Sequence, residues 1–266
     1  MTLFSDESVT VGGRKMVMRK SGAVSGAAVV LVHPLGLDRR SFDAMRSEMD
    51  PSWRVVSYDQ RGHATRSADD QFDLEDLVDD AVAVCLSMDS PVHLVGHALG
   101  GVVAALAAER LRSVQSLAVL AVPLKSQPAF SQRAESIEAG RVSAVLEESL
   151  SRWFKGLEAE PRYELAVEYG RSCLDAITTN GYAGGWRALA EFGELELSGT
   201  AVRTLCIAAE DDASVPLGSF NCLKGSDAST TVLVQFEVTP KGGHMFPIME
   251  PQLTAALLDA FWKKAL

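Results

Sequence analysis

The residues best suited to carry chemistry are a histidine and an acid near the end of the chain. His244 follows the last strand-like stretch, and the run Glu210-Asp211-Asp212 follows the stretch before it. An imidazole oriented by a carboxylate activates a hydroxyl group for attack on a carbonyl carbon. We take Asp212 as the acid, because the strand has just ended there, with Asp211 as the alternative. The order of acid and then base predicts an acyl-transfer site with His244 as its base.

A glycine-framed turn in the middle of the chain supplies the third part of this site. Gly96-His97-Ala98-Leu99-Gly100 lies between a predicted strand and a predicted helix. The G-x-S-x-G nucleophile elbow occupies this context, a sharp turn that presents its central residue above the sheet. Every part of the motif is present except the serine hydroxyl, because position 98 is alanine. The sequence therefore predicts a protein that binds its substrate but does not turn it over.

Acyl transfer also needs two backbone N–H groups that face the negative charge developing on the carbonyl oxygen. One is expected from Leu99, which follows the elbow position and opens a helix whose dipole favours an anion. The other is expected from the loop after the first buried strand, His33-Pro34-Leu35-Gly36. Because Pro34 has no N–H to donate, we predict Leu35 as the second donor of the oxyanion hole.

These residues need a scaffold, and hydrophobic patterning indicates which one. Short apolar runs rich in β-branched residues alternate with stretches of helical periodicity. This alternation predicts an α/β protein with a mostly parallel central sheet and helices on both faces. The predicted strands are residues 28–33, 53–58, 91–95, 117–122, 204–209 and 231–238, and the predicted helices are residues 74–88, 99–110 and 251–264.

The alternation stops between residues 125 and 198. The pattern of this segment predicts no strand. It predicts several helices separated by Gly140, Gly156, Pro161 and the glycines of 181–185. We expect one α/β core made of residues 1–124 and 199–266, with residues 125–198 inserted as a helical cap. A chain of 266 residues is long enough for such a core and a small cap.

Composition excludes several classes of partner. The formal net charge of -10 repels phosphate backbones and anionic lipid, so neither nucleic acid nor a membrane is an expected partner. The four cysteines are scattered and form no metal-binding pattern, so we expect no metal ion. The sequence has neither a signal-peptide pattern nor a long apolar run, which predicts a cytoplasmic protein. The oligomeric state stays open, a homo-oligomer included.

Together these motifs resemble the α/β-hydrolase superfamily, and they follow its usual order over residues 28–262. The matching segments are His33-Pro34-Leu35-Gly36, Asp59-Gln60-Arg61-Gly62-His63, the elbow with Gly101, Glu210-Asp211-Asp212 to Pro216, and Gly243-His244 to Glu250-Pro251. The resemblance implies a nucleophile at position 98, Asp212 as the acid and His244 as the base. It implies a hydrolytic site but does not define the substrate.

A finer resemblance, to 3-oxoadipate enol-lactonases, rests on Leu35-Gly36-Leu37-Asp38 and on Ser151-Arg152-Trp153-Phe154 in the cap. That family opens a small lactone ring with a serine nucleophile and no cofactor. The resemblance implies substrate contacts at Arg133 and Trp153. A solvated arginine and a core tryptophan are the alternatives at these two positions. Residues 97–99 depart from that family's pattern, so the substrate could be another lactone or a carboxylic ester.

Three interpretations of Ala98 remain. We favour an engineered replacement of serine, made to trap a ligand, because Asp212, His244 and the glycine frame all persist. The alternatives are a natural non-hydrolytic ligand-binding protein of this fold and an enzyme that needs only the histidine–aspartate pair. Hydrolysis of a carbon–carbon bond by the same machinery is a further alternative to ester or lactone hydrolysis.

Overall fold

Strands organise the part of the chain that the computed structural model describes, which is residues 4–64, 71–197, 201–223 and 234–263. They are β1 (Ser5–Val11), β2 (Arg14–Gly22), β3 (Ala28–Val32), β4 (Arg54–Tyr58), β5 (Val92–His97), β6 (Val114–Leu120), β7 (Arg203–Ala209) and β8 (Val234–Thr239). Within those residues they form one eight-stranded sheet in the order β1-β2-β4-β3-β5-β6-β7-β8.

The sheet is parallel throughout its β4-β3-β5-β6-β7-β8 portion, so the predicted mostly parallel sheet is confirmed. At one edge, β1 and β2 form an antiparallel hairpin, and β2 pairs antiparallel with β4. The sequence pattern did not predict this hairpin. Its physical reason is that only Met16 and Met18 of the hairpin are buried, which leaves too few apolar residues for a recognisable strand pattern.

Helices cover the sheet and form the segment between β6 and β7. They are α1 (Asp43–Glu48), α2 (Leu74–Leu86), α3 (Leu99–Arg110), α4 (Pro128–Glu138), α5 (Val142–Trp153), α6 (Tyr163–Ala176), α7 (Thr179–Glu191), α8 (Phe246–Met249) and α9 (Pro251–Lys263). The predicted helix 99–110 coincides with α3. Residues 231–233 of the last predicted strand and residue 264 of the last predicted helix lie outside the described residues.

Alternate side chains of β3 pack on opposite faces of the sheet, as the pleat of a strand requires. Val30 and Val32 belong to the apolar cluster that contains buried residues of α2 and α3. Val29 and Leu31 belong to the cluster that contains buried residues of α1 and α9. All five residues of β3 are buried, which explains why this strand reads as a continuous apolar run and not as an alternating one.

Helices α4 to α7 form the insertion, and two glycine contacts place them against the core. A Cβ on Gly181 of α7 would lie 2.2 Å from the carbonyl oxygen of Gly62, which follows β4. A Cβ on Gly36, which follows β3, would lie 2.8 Å from the ring of Trp153 in α5. The insertion therefore packs on the loops that follow the carboxyl ends of these strands. The division into core and cap stays a prediction, and its boundary at 198–199 lies outside the described residues.

Candidate active site

The elbow between β5 and α3 holds Ala98 in a strained conformation, with φ 49° and ψ -114°. Such a backbone costs a non-glycine residue about 1–3 kcal/mol, and the surrounding structure must impose it. Here the Ala98 N–H donates to the Leu120 carbonyl at 2.9 Å, and the Ala98 carbonyl accepts from Gly101 at 2.9 Å. The turn keeps the geometry of a nucleophile elbow although alanine presents no nucleophile.

Two glycines make this turn possible. A Cβ on Gly96 would lie 2.0 Å from the carbonyl oxygen of Gly100, and a Cβ on Gly100 would lie 2.1 Å from the carbonyl oxygen of Val32. Neither approach is open to a residue with a side chain, because both neighbouring atoms belong to the backbone. The glycine frame that the sequence shows is therefore a packing requirement of the elbow.

His244 and Asp212 form the predicted pair. His244 Nδ1 lies 2.9 Å from Asp212 Oδ2, and their side chains are only 7% and 1% exposed. The other carboxylate oxygen accepts from the N–H groups of Ser214 and Val215 at 2.7 and 2.9 Å. Burial alone would raise the pKa of Asp212, but the adjacent imidazole and these two N–H donors outweigh it, and the net pKa is lowered. The carboxylate thus stays ionised beside the ring.

Asp211, the alternative acid, has a different partner. Its Oδ1 accepts from the Gly243 N–H at 2.9 Å. This bond ties the loop after β7 to the loop that carries His244. The geometry therefore places Asp212 against the imidazole and Asp211 against the backbone next to it.

The loop after β3, which carries the predicted donor Leu35, is held by two buried histidines. Gly36 N–H donates to His63 Nε2 at 3.0 Å, and Gln60 N–H donates to His33 Nε2 at 2.9 Å. Burial lowers the pKa of His33 to about 4 and the pKa of His63 to about 3. Both rings are therefore neutral near pH 7 and accept these bonds. Neither histidine is available as a catalytic base.

The two predicted oxyanion donors meet at one cavity. Within the described residues, neither the Leu35 N–H nor the Leu99 N–H has a hydrogen-bond acceptor in the protein. The cavity has a volume of about 260 Å³. Among the residues that line it are Leu35, Ala98, Leu99, Arg133, Trp153 and His244. Every residue predicted for the site therefore lines this cavity except Asp212, which lies behind the His244 ring.

The sequence did not predict a polar group on the side of the cavity formed by α4 and α5. Arg152 lines the cavity beside Arg133. Both guanidinium groups contact Glu148 Oε1, at 2.9 Å for Arg133 and 2.5 Å for Arg152. Both also lie over the ring of Trp186 in α7, at 4.9 and 5.9 Å from its centroid. The spacing of Glu148 and Arg152 on one helix was a signal for their pairing, but nothing in the sequence placed Arg133 beside them.

The charges of this group do not balance. Two guanidinium groups, each on a side chain 19% exposed, share one carboxylate whose side chain is 52% exposed. Burial lowers the pKa of Arg152, and the nearby Arg133 lowers it further. Within the described residues, the buried Nε of Arg133 has no hydrogen-bond partner. The side of the cavity formed by α4 and α5 therefore carries net positive charge in a protein with a net charge of -10.

Comparison with known proteins decides the family. A family model described as the alpha/beta hydrolase family matches residues 29–257. The chain belongs to this family. The match spans both the elbow and the loop of His244.

Two relatives of this α/β hydrolase come from Acinetobacter baylyi. The 3-oxoadipate enol-lactonase 1 of that organism is 26% identical over 257 residues, which covers 94% of each chain. Its (E)-2-((N-methylformamido)methylene)succinate hydrolase is 29% identical over 175 residues, which covers 62% of this chain and 64% of that protein. The crystal structure of the enol-lactonase from Burkholderia xenovorans superimposes with a TM-score of 0.85 at 20% identity, covering 97% of this chain and 100% of that one.

The described part of this α/β hydrolase contains neither a candidate metal site nor a helix that could span a membrane. Its histidine, cysteine and acidic residues form no cluster of three or more that could hold a metal ion. Over the same residues, no helix combines the length and apolar character needed to cross a membrane. The polar groups at the cavity include the His244 imidazole and the guanidinium groups of Arg133 and Arg152.

Proposed function

We propose that the site is built to hydrolyse a small lactone or carboxylic ester through an acyl-enzyme. Position 98 is the nucleophile position, His244 the base, Asp212 the acid that orients it, and Leu35 and Leu99 the oxyanion donors. The observation that carries the proposal is the 2.9 Å bond between His244 and Asp212 at the wall of the cavity that also contains Ala98. The family membership and the hydrolase relatives support it.

With serine at position 98 the reaction has two stages. The hydroxyl gives its proton to His244 Nε2 and attacks the carbonyl carbon, and the Leu35 and Leu99 N–H groups stabilise the oxyanion. His244 then protonates the leaving oxygen, which in a lactone stays attached to the acyl group. Water, deprotonated by His244, breaks the acyl-enzyme bond and releases the acid. The cap excludes bulk water from these steps, and no cofactor takes part.

The arginine pair narrows the substrate class. Guanidinium groups bind carboxylates in a planar, charge-assisted arrangement, and Arg133 and Arg152 together exceed the single negative charge of Glu148. The names of the two Acinetobacter relatives contain adipate and succinate, both dicarboxylates. We therefore propose a substrate with a free carboxylate, held by Arg133 and Arg152, and with its ester or lactone carbonyl toward position 98. Trp153 supplies an apolar wall.

Ala98 removes the acyl-enzyme route, so the chain is expected to bind this substrate without forming an acyl-enzyme. Its origin as an engineered replacement of serine stays a prediction. The same holds for the two rival functions, a natural non-hydrolytic ligand-binding protein and a carbon–carbon bond hydrolase. Product analysis separates the last of these, because cleavage of a carbon–carbon bond yields no alcohol.

The variant Ala98→Ser tests the proposal. We expect a burst of 4-nitrophenol from mono-4-nitrophenyl adipate, an acyl adduct in the intact mass, and turnover at least about a thousandfold above the alanine form. Ala98→Gly, which also lacks a hydroxyl, is the matched control and should show neither burst nor adduct. If Ala98→Ser gains no activity on a panel of esters and lactones, the serine mechanism fails, and if the alanine form also hydrolyses none of them, the ligand-binding interpretation replaces the hydrolase.

A further inference from the structure

We propose that the chain with Ala98 is itself a slow hydrolase of activated acyl compounds, in which His244 directs a water molecule onto the carbonyl carbon. No acyl-enzyme forms on this route. The inference rests on the proposed function for its site and substrate class, and it adds an activity for the alanine form. The substrates are esters or thioesters with a good leaving group, because water is a weaker nucleophile than an activated serine.

The base that water attack requires is complete without residue 98. Asp212 occupies Nδ1 of His244 at 2.9 Å, which fixes the tautomer and leaves Nε2 as the nitrogen that accepts a proton. His244 and Ala98 line the same cavity. The imidazole therefore faces the region where a carbonyl carbon must lie for either route, and the pair is oriented by its own hydrogen bonds.

The oxyanion donors are also independent of the side chain at position 98. The elbow keeps φ at 49° in Ala98, a strain of about 1–3 kcal/mol for a residue with no nucleophile to present. The strained turn still places Leu99 at the start of α3, where it lines the cavity. Leu35 lines the same cavity. Stabilisation of the oxyanion is usually the largest single contribution to acyl transfer, and it is retained.

The arginine pair holds the substrate in place, as the covalent bond of an acyl-enzyme would do in the serine mechanism. Arg133 and Arg152 come from α4 and α5 and line the cavity on its cap side. A carboxylate bound there anchors one end of the substrate, so the carbonyl is oriented before water attacks. Orientation of this kind lowers the barrier because translational and rotational freedom is lost on binding and not in the transition state.

The reaction balances with water as the only co-reactant. The water oxygen bonds to the carbonyl carbon while His244 Nε2 takes one of its protons, and the carbonyl oxygen becomes the oxyanion. Collapse of this intermediate breaks the bond between the carbonyl carbon and the leaving oxygen or sulfur. The imidazolium then returns the proton to the leaving group. The products are a carboxylic acid and an alcohol, phenol or thiol, and nothing is oxidised or reduced.

The test measures steady-state release of 4-nitrophenol from mono-4-nitrophenyl adipate by the chain, by His244→Gln and by Ala98→Ser. The alanine form should complete many turnovers without a burst and without an acyl adduct in the intact mass. His244→Gln should be slower by about a hundredfold, the contribution of a general base. Asp212→Asn is a second variant that should change the rate in the same direction, and thermal unfolding checks that both variants fold. The rate of the alanine form should also fall in D2O, since a proton moves in the rate-determining step.

Each result separates this inference from the proposed function. Equal rates for the chain and His244→Gln overturn the inference, even if Ala98→Ser shows a burst and so supports the serine mechanism. A His244-dependent acyl adduct on the alanine form also overturns it. If the alanine form turns over with His244 dependence while Ala98→Ser gains nothing, the water route stands and the serine mechanism fails. Absence of hydrolysis by both forms overturns both.

Discussion

His63 accepts a hydrogen bond from the Gly36 N–H at 3.0 Å, and both groups are buried. Because Nε2 accepts this bond, Nδ1 carries the proton and donates to the Arg61 carbonyl oxygen at 2.8 Å. The ring thus joins the loop after β3 to the loop after β4. Gly36 directly follows Leu35, whose N–H is a proposed oxyanion donor. We therefore propose that His63 is a positioning residue for the proposed oxyanion hole.

Removing that bond should impair the chemical step. In the Ala98→Ser form, we expect His63→Leu to lower kcat by about a hundredfold, the effect of displacing one oxyanion donor. KM should change little, because the donor acts mainly on the charge of the transition state. Steady-state kinetics on mono-4-nitrophenyl adipate provide the measurement, and His63→Gln, which keeps an acceptor, should restore part of kcat.

The matched control is His93→Leu. His93 is also buried, and its Nδ1 lies 2.8 Å from Ser116 Oγ in the neighbouring strand, but it does not line the cavity. His93→Leu should lower the free energy of unfolding and leave kcat unchanged. Equal losses of kcat in the two variants would assign His63 a general structural role.

Substitution of the two adjacent acids, Asp211 and Asp212, should have clearly different effects on kcat. In the Ala98→Ser form, Asp212→Asn should lower kcat by about 10⁴-fold, because the amide favours the wrong tautomer of His244. Asp211→Asn should keep kcat within about tenfold and cost less than about 1.5 kcal/mol of stability, since it weakens one charge-assisted bond to the Gly243 N–H. The measurements are kcat and urea-induced unfolding. If Asp211→Asn loses more kcat than Asp212→Asn, Asp211 is the acid that orients His244 and Asp212 is not.

The elbow and the buried strands could be predicted because their requirements are local. Gly96 is needed for a backbone contact with Gly100, four residues away, and the strands are short apolar runs. The choice between Asp211 and Asp212 is different. Both lie at the end of one strand and carry the same charge, so only the direction of each side chain decides which one meets His244. In the sequence, the end of the strand is the one feature that favours Asp212.

The arginine pair could not be predicted because it depends on how helices of the insertion pack. Arg133 lies on α4, Glu148 and Arg152 on α5, and Trp186 on α7. The pairing of Glu148 with Arg152 has helical spacing, but the approach of Arg133 is set by the contact between two helices. The hydrophobic periodicity of a sequence predicts single helices, but it does not predict which helices contact each other. The hairpin of β1 and β2 could not be predicted for a different reason, because its strands contain too few buried apolar residues to form a recognisable pattern.

The arginine pair should control affinity for charged substrates. In the Ala98→Ser form, Arg152→Gln should raise KM for mono-4-nitrophenyl adipate by about tenfold or more, because a charge-assisted bond contributes about 1.5–3 kcal/mol. KM for 4-nitrophenyl hexanoate, which has the same chain length and no charge, should stay nearly constant. Arg171→Gln is the control, since that arginine pairs with Glu147 on the exposed side of the insertion. Equal shifts in KM for both esters would contradict a carboxylate site.

Buried neutral histidines should make the fold sensitive to acid. Burial lowers the pKa of His33 and His93 to about 4 and of His63 and His97 to about 3, against 6.5 for the unperturbed side chain. Below pH 6.5 the unfolded chain binds protons that the folded protein does not. The free energy of unfolding is therefore highest above pH 6.5 and falls as the pH drops toward 4, by at most about 1.4 kcal/mol per pH unit for each histidine.

Urea unfolding of the chain and of His93→Leu at pH 7 and pH 5 isolates one of these groups. The variant is expected to be less stable at pH 7, because it loses the contact with Ser116 and the ring contacts with Trp53 and Trp262. Its loss of stability between pH 7 and pH 5 should be smaller than that of the parent, since one proton-binding group of the unfolded chain is gone. If the free energy of unfolding changes equally with pH in the two proteins, His93 has the same pKa in the folded and unfolded states. That result would contradict a pKa lowered by burial.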